Sequence, residues 1–195
     1  MKYIIFFLLL NFSLLSEDYD LNLWKEFKTS KKKSIFLSYI NCILDEFSIE
    51  KKCENNIPQT PKYFGKLGVF LTFHQRGRVR GCFGSFTHKS ENFNESLKEY
   101  INGAISEDPR FSPISKNELK QLDWKLTIAS SPKRELDPEN INLKREGVYL
   151  VGEGNNIIYV PGEIKSVNYL KNIIKMKKIS EIYKFDTVIF NKPAE

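Results

Sequence analysis

Ile35, Phe36, Tyr39, Ile40, Ile43, Leu44 and Phe47 recur at helical spacing, and this stripe predicts an amphipathic helix. Lys31 to Lys33 sit at its start, where positive charge is disfavoured, so they are read as solvated. Residues 17–30 ahead of it read as a polar lead-in without a helix pattern. Glu50 to Lys66 is polar and carries Pro58, Pro61 and Gly65, which predicts a loop. Val69 to His74 is β-rich, Gly77 marks a tight turn, and Val79 to Phe86 returns as the second strand of a hairpin. Gly81 and Gly84 inside that strand signal a bulge or a close backbone approach.

A second amphipathic helix follows, with Ser90 as its cap and a stripe of Phe93, Leu97, Tyr100, Ile101, Ala104 and Ile105, and Pro109 ends it. Ser115 and Glu118 form a capping box for a short helix reaching about Leu122. Leu122, Trp124, Leu126 and Ile128 then alternate with other residues, as in a half-buried strand. Residues 131–146 read as a loop with a turn of helix. Gly147–Val151 and Ile157–Val160 form a second hairpin, residues 165–179 a helix, and Tyr183, Phe185, Thr187 and Ile189 a closing strand. Hairpins with interleaved helices predict an α+β domain with a mixed or antiparallel sheet flanked by helices.

With 195 residues, 41% of them hydrophobic, the chain suffices for one domain with a proper core. Net charge is +6, but the lysines are spread along the chain, so nucleic acid is not the favoured partner. The lysines at 165, 171, 175, 177, 178 and 184 read as a solvated face. Tyr3 to Leu15 is almost wholly apolar and follows Lys2, so residues 1–16 read as a signal peptide and the chain as exported, with a cytoplasmic location the alternative. A helix of about 13 residues reaches about 20 Å, too short for a hydrocarbon core of about 30 Å, so no stable membrane span is expected. Of three cysteines, Cys42 and Cys53 can pair in an oxidising compartment and leave Cys82 as a thiol. The cysteine spacing gives no metal motif, and no cofactor is identified.

The candidate chemistry lies in Arg78, Arg80 and Cys82, which share a face if the strand is regular. Guanidinium groups beside the thiol favour a thiolate or an anion site. The alternative is that Gly81, Cys82 and Gly84 are small because a helix packs against them. Glu107, Asp108 and Arg110 form a second group, in which Arg110 pairs with an acid or reaches the Cys82 region and Phe111 plugs the core. His74 would assist Cys82 only if the hairpin register sets it across the strand pair.

Leu67-Gly68-Val69-Phe70-Leu71-Thr72-Phe73 with Val79-Arg80-Gly81-Cys82-Phe83-Gly84, followed by Ala104 to Pro113 with its Asp-Pro-Arg-Phe run, resembles the AMMECR-type domain family. The match is strongest over residues 64–138, and the domain is taken as residues 31–192. The resemblance implies an α+β domain with a larger and a smaller lobe, the smaller trimmed here after Val160-Pro161. It names no reaction. It also implies Memo-type and radical S-adenosylmethionine proteins as pathway partners in the cytosol, a setting at odds with export. The function expected is a ligand- or partner-binding module. Its groove is lined by Arg78, Arg80, Gly81, Cys82, Gly84, Glu107, Asp108 and Arg110. The alternative is a cysteine-dependent enzyme or redox protein with Cys82 as its catalytic group, and an RNA-binding domain ranks below both.

Overall fold

A computed structural model describes residues 20–54, 58–63, 65 and 67–193. The leader expected over residues 1–16 lies outside these. The polar lead-in is corrected where it is described: residues 20–29 are helical (α1). Leu21, Trp24 and Phe27 recur every third position and are buried, while Asn22, Lys25 and Glu26 lie between them. Trp24 is fully enclosed, with Phe27, Phe93 and Phe190 rings at 5.6–5.9 Å. Its indole N–H donates to the Lys62 carbonyl at 3.2 Å.

The described residues divide into two compact units, those up to 128 together with 188–193, and residues 129–187. In the first, helix α2 (Lys32–Ser48) buries Phe36, Tyr39, Ile40, Ile43 and Leu44, whereas Ile35, expected in the same stripe, is 58% exposed. A disulfide joins Cys42 of α2 to Cys53 in the following loop, with Cα atoms 5.3 Å apart. Strands β1 (Gly68–Gln75) and β2 (Arg78–Ser85) form the expected antiparallel hairpin. Arg76 and Gly77 both take positive φ at its turn, the conformation a two-residue hairpin turn needs.

Helix α3 (Phe93–Ser106) packs its apolar stripe on this hairpin. Asn92, not Ser90, is its cap, accepting from the Asn94 N–H at 3.0 Å. The close approach explains the small residues: a Cβ on Gly81 would sit 2.2 Å from the Ala104 carbonyl oxygen. Helix α4 (Lys116–Leu119) and strand β3 (Asp123–Ala129) follow, and the sheet order here is β2-β1-β3-β7, where β7 is Ile179–Asn191.

The second unit contains β4 (Lys133–Glu135), a 3-10 turn at Pro138–Asn140, the β5 (Glu146–Gly152) and β6 (Asn155–Tyr159) hairpin, helix α5 (Val167–Met176) and the first part of β7. β4 and β5 both pair antiparallel with β7. Ile141, Val148, Leu150, Ile164, Leu170 and Ile173 form its core. The α+β class with antiparallel pairing is therefore as the sequence predicts. Among the described residues no helix is long and apolar enough to cross a membrane.

Candidate functional site

The hairpin register decides where the Arg-Gly-Cys side chains go. Phe73 pairs with Gly81 but His74 pairs with Val79, so β2 carries one extra residue, Arg80. Such a bulge re-aims a side chain. It also breaks the alternation: Cys82, opposite Thr72, and Arg78, opposite Gln75, fall on different faces. The expectation that Arg78, Arg80 and Cys82 share one face is thus corrected. Arg78 is exposed.

Arg80 turns to the loop after α3. Its guanidinium holds the Glu118 carboxylate through Nε at 2.5 Å and a second nitrogen at 3.1 Å, and donates to the Ser112 carbonyl at 2.9 Å. This bidentate pair is among the stronger ionic contacts a protein makes. It also changes the expected capping box. Ser115 accepts from the Glu118 N–H as predicted, but the Glu118 carboxylate goes to Arg80.

Asp108 makes the second fastening. Its carboxylate is 4% exposed and accepts four hydrogen bonds. Cys82 N–H donates at 2.8 Å, and Arg110 donates from its backbone N–H, from Nε at 2.9 Å and from a terminal nitrogen at 2.8 Å. Burial pushes the Asp108 carboxyl up, but the Arg110 hydrogen bonds, the Arg110 charge and the Cys82 N–H together hold it below its ordinary value. Ile114 N–H bonds the Ile105 carbonyl at 2.9 Å and closes the loop.

Residues 108–114 are therefore tied to both β2 and α3, and the tip faces water. Phe111 is 38% exposed, which corrects its expected role as a core plug. Two guanidinium groups approach its ring, Arg110 at 5.5 Å and Arg80 at 6.0 Å from the ring centre. The Arg110 side chain is 43% exposed.

Cys82 is half-buried, and its sulfur accepts from the Thr72 hydroxyl at 3.3 Å. His74 is not its cross-strand partner. Gly84 has a packing reason, since a Cβ there would lie 2.2 Å from the Val69 carbonyl oxygen. Glu107 stays outside the cluster and meets Asn102 at 3.4 Å. Of the expected residues, then, Arg80, Gly81, Cys82, Asp108 and Arg110 come together, whereas Arg78, Gly84 and Glu107 do not join the cluster. Glu118 and Thr72 were not singled out for it. Glu118 was legible only as a capping residue, and nothing in the sequence ties it to Arg80. Along the basic C-terminal stretch, Lys171 meets Glu139 at 2.6 Å and Lys184 meets Glu135 at 2.8 Å, so part of that charge is matched. Among the described residues no group of three or more His, Cys, Asp or Glu could hold a metal ion.

A protein of Thermotoga maritima is 27% identical over 131 residues, covering 62% of this chain and 75% of that one. A Methanosarcina barkeri protein is 27% identical over 114 residues, 56% of each chain. The crystal structure of an uncharacterised Pyrococcus horikoshii protein superposes with a TM-score of 0.61 at 18% identity, covering 82% of this chain and 90% of that one, which supports the fold. The AMMECR1 family pattern matches residues 38–186. That span is most of the chain and contains both the Arg-Gly-Cys strand and the Asp-Pro-Arg-Phe loop, and on it this chain belongs to the AMMECR1 family.

Proposed function

We propose that this chain is a partner-binding module whose docking tip is Arg110 and Phe111. One observation carries the reading: a loop fastened by the buried Asp108 carboxylate and by the Arg80 guanidinium holds an aromatic ring and a cation out to solvent. Arg and aromatic side chains dominate the binding energy of protein interfaces. A tip held in place before binding loses little freedom on association. The cysteine-enzyme reading has one support, the Thr72 hydroxyl on the Cys82 sulfur. It has lost another, because the Arg80 guanidinium is engaged by Glu118 and by backbone carbonyls.

The test is a photo-reactive residue placed at position 111 in cells, with Leu136, an 84% exposed apolar residue, as the control position. The expected result is one dominant adduct at 111 that is absent at 136. The same adducts at both positions would sink the reading. Export belongs with this reading: the Cys42–Cys53 bridge supports an oxidising compartment, as does the apolar Tyr3–Leu15 segment. Thiol trapping after cell fractionation checks it. Bridged protein outside the cytosol is expected, and reduced protein inside it would contradict export.

A further inference from the structure

A cavity of 390 Å³ opens on the first unit, and no residue of the Cys82–Arg110 cluster lines it. That volume lies within the range of small-molecule sites. Leu44, Phe73, Leu122 and Trp124 give it an apolar body. Ser48 also lines it and is 7% exposed, yet its hydroxyl makes no hydrogen bond among the described residues. A serine inside a helix commonly bonds the carbonyl one turn back, as Ser106 does to Asn102 at 2.8 Å. The hydroxyl stays open to the cavity, where a polar group on a bound molecule can bond it. Asn41 accepts from the Trp124 indole N–H at 2.8 Å, and its amide hydrogens remain for a guest.

The charges around the cavity lean positive. Lys120 and Lys192 line it together with Asp45, and none of the three has an ion-pair partner among the described residues. The nearby acids of the same helix end are matched, Glu46 by Lys98 at 2.6 Å and Glu50 by Lys116. Lys192 donates to the Leu122 carbonyl at 3.1 Å, which fixes its ammonium with hydrogens to spare.

We propose that this cavity binds a small amphipathic carboxylate. Its apolar or aromatic body packs on Trp124 and Leu122, and its carboxylate is met by Lys192, Lys120 and the Ser48 hydroxyl. Asp45 leaves a place for an ammonium group on the same molecule.

The test is a titration of the full chain, labelled at its tryptophans with nitrogen-15, with 3-phenylpropionate. Trp24 and Trp124 are the two tryptophans. The Trp124 indole signal, assigned with Trp124→Phe, shifts and saturates, while the fully buried Trp24 signal stays as an internal reference. The neutral 3-phenylpropionamide binds about tenfold more weakly, because it lacks the charge-assisted contacts. Lys192→Met and Ser48→Ala each weaken the acid about fivefold. Lys120→Gln changes an exposed side chain, so it tests the charge without threatening the fold, and it weakens the acid while sparing the amide. No saturable Trp124 shift below about 10 mM would overturn the proposal. So would equal affinity for acid and amide, or lysine variants that bind the acid as the parent does.

Discussion

His88 and Asp108 stand on either side of α3 in the sequence, and each organises a polar network, but the two networks end differently. The Leu67 carbonyl can only accept, so His88 Nε2 donates to it at 2.6 Å and Nδ1 accepts from the Tyr100 hydroxyl. The Tyr63 ring packs edge-on at 4.9 Å, and its hydroxyl bonds Ser96 at 2.9 Å and the Ser90 carbonyl at 2.9 Å. These links end on Leu67, Ser90, Ser96 and Tyr100, all buried or half-buried. The Asp108 network begins at a buried carboxylate and ends at Arg110 and Phe111, both substantially exposed. A closed network can be explained by stability and uniqueness of the core. The open one ends on an exposed ring, Phe111, whose own removal would cost the fold little, and that contrast is why the tip, rather than the histidine, is read as functional.

Four predictions follow from the comparison. His88→Ala breaks the closed network most severely, leaving the Tyr100 hydroxyl and the Leu67 carbonyl without their ring partner. A loss of about 3 kcal/mol is expected in urea unfolding. Asp108→Ala breaks the open network at its root and strips the Cys82 and Arg110 donors of their acceptor. About 2 kcal/mol is expected. Faster exchange of the Cys82 amide hydrogen would locate the effect at that bond.

The third prediction separates the networks by pH. Burial holds the His88 imidazole below its ordinary 6.5, so the folded state binds fewer protons there than the unfolded chain. The associated stability is present above about pH 6.5 and is lost as pH falls from there through the folded value. His88→Gln removes this slope. The Asp108 carboxyl is also depressed, so its contribution is present above the ordinary 3.8 and is lost only as pH falls further. Asp108→Asn flattens that lower window alone. Unfolding curves taken from about pH 8 down to about pH 2 read both. The smallest effect is at the tip ring: Phe111→Ala changes stability by less than about 0.5 kcal/mol.

Long apolar periods were legible in the sequence. The α2 and α3 stripes and both hairpins lie where their spacing predicts, because each buries one face: α2, α3 and the first hairpin in the core of the first unit, the second hairpin in that of the second. Helix α1 was missed because a short stripe of three buried residues among polar and charged neighbours is weak, and Trp24 carries much of its packing. Strand β4 has three residues and no apolar alternation, and it exists through its pairing with β7. In β7 the expected face of Phe185, Thr187 and Ile189 gives way after Phe185, and the buried residues become Val188 and Phe190. At the site, Gly81 was legible as a close-approach residue. The two glycines signalled a bulge as well, but its place at Arg80 was not legible, because a register belongs to two strands at once. The Arg80–Glu118 pair joins residues 38 positions apart, and short-range pattern carries no trace of it.

The measurement that tests the central claim most directly is competition for the adduct formed at position 111. Untagged full chain, Cys82→Ser and the double variant Arg110→Ala with Phe111→Ala are added in turn, each verified as folded. The account predicts that the parent and Cys82→Ser suppress the adduct equally, while the double variant is at least about tenfold weaker, as for loss of a central interface anchor. Equal suppression by all three would contradict it, and failure of Cys82→Ser alone would move the function from the Arg110–Phe111 tip to the cysteine.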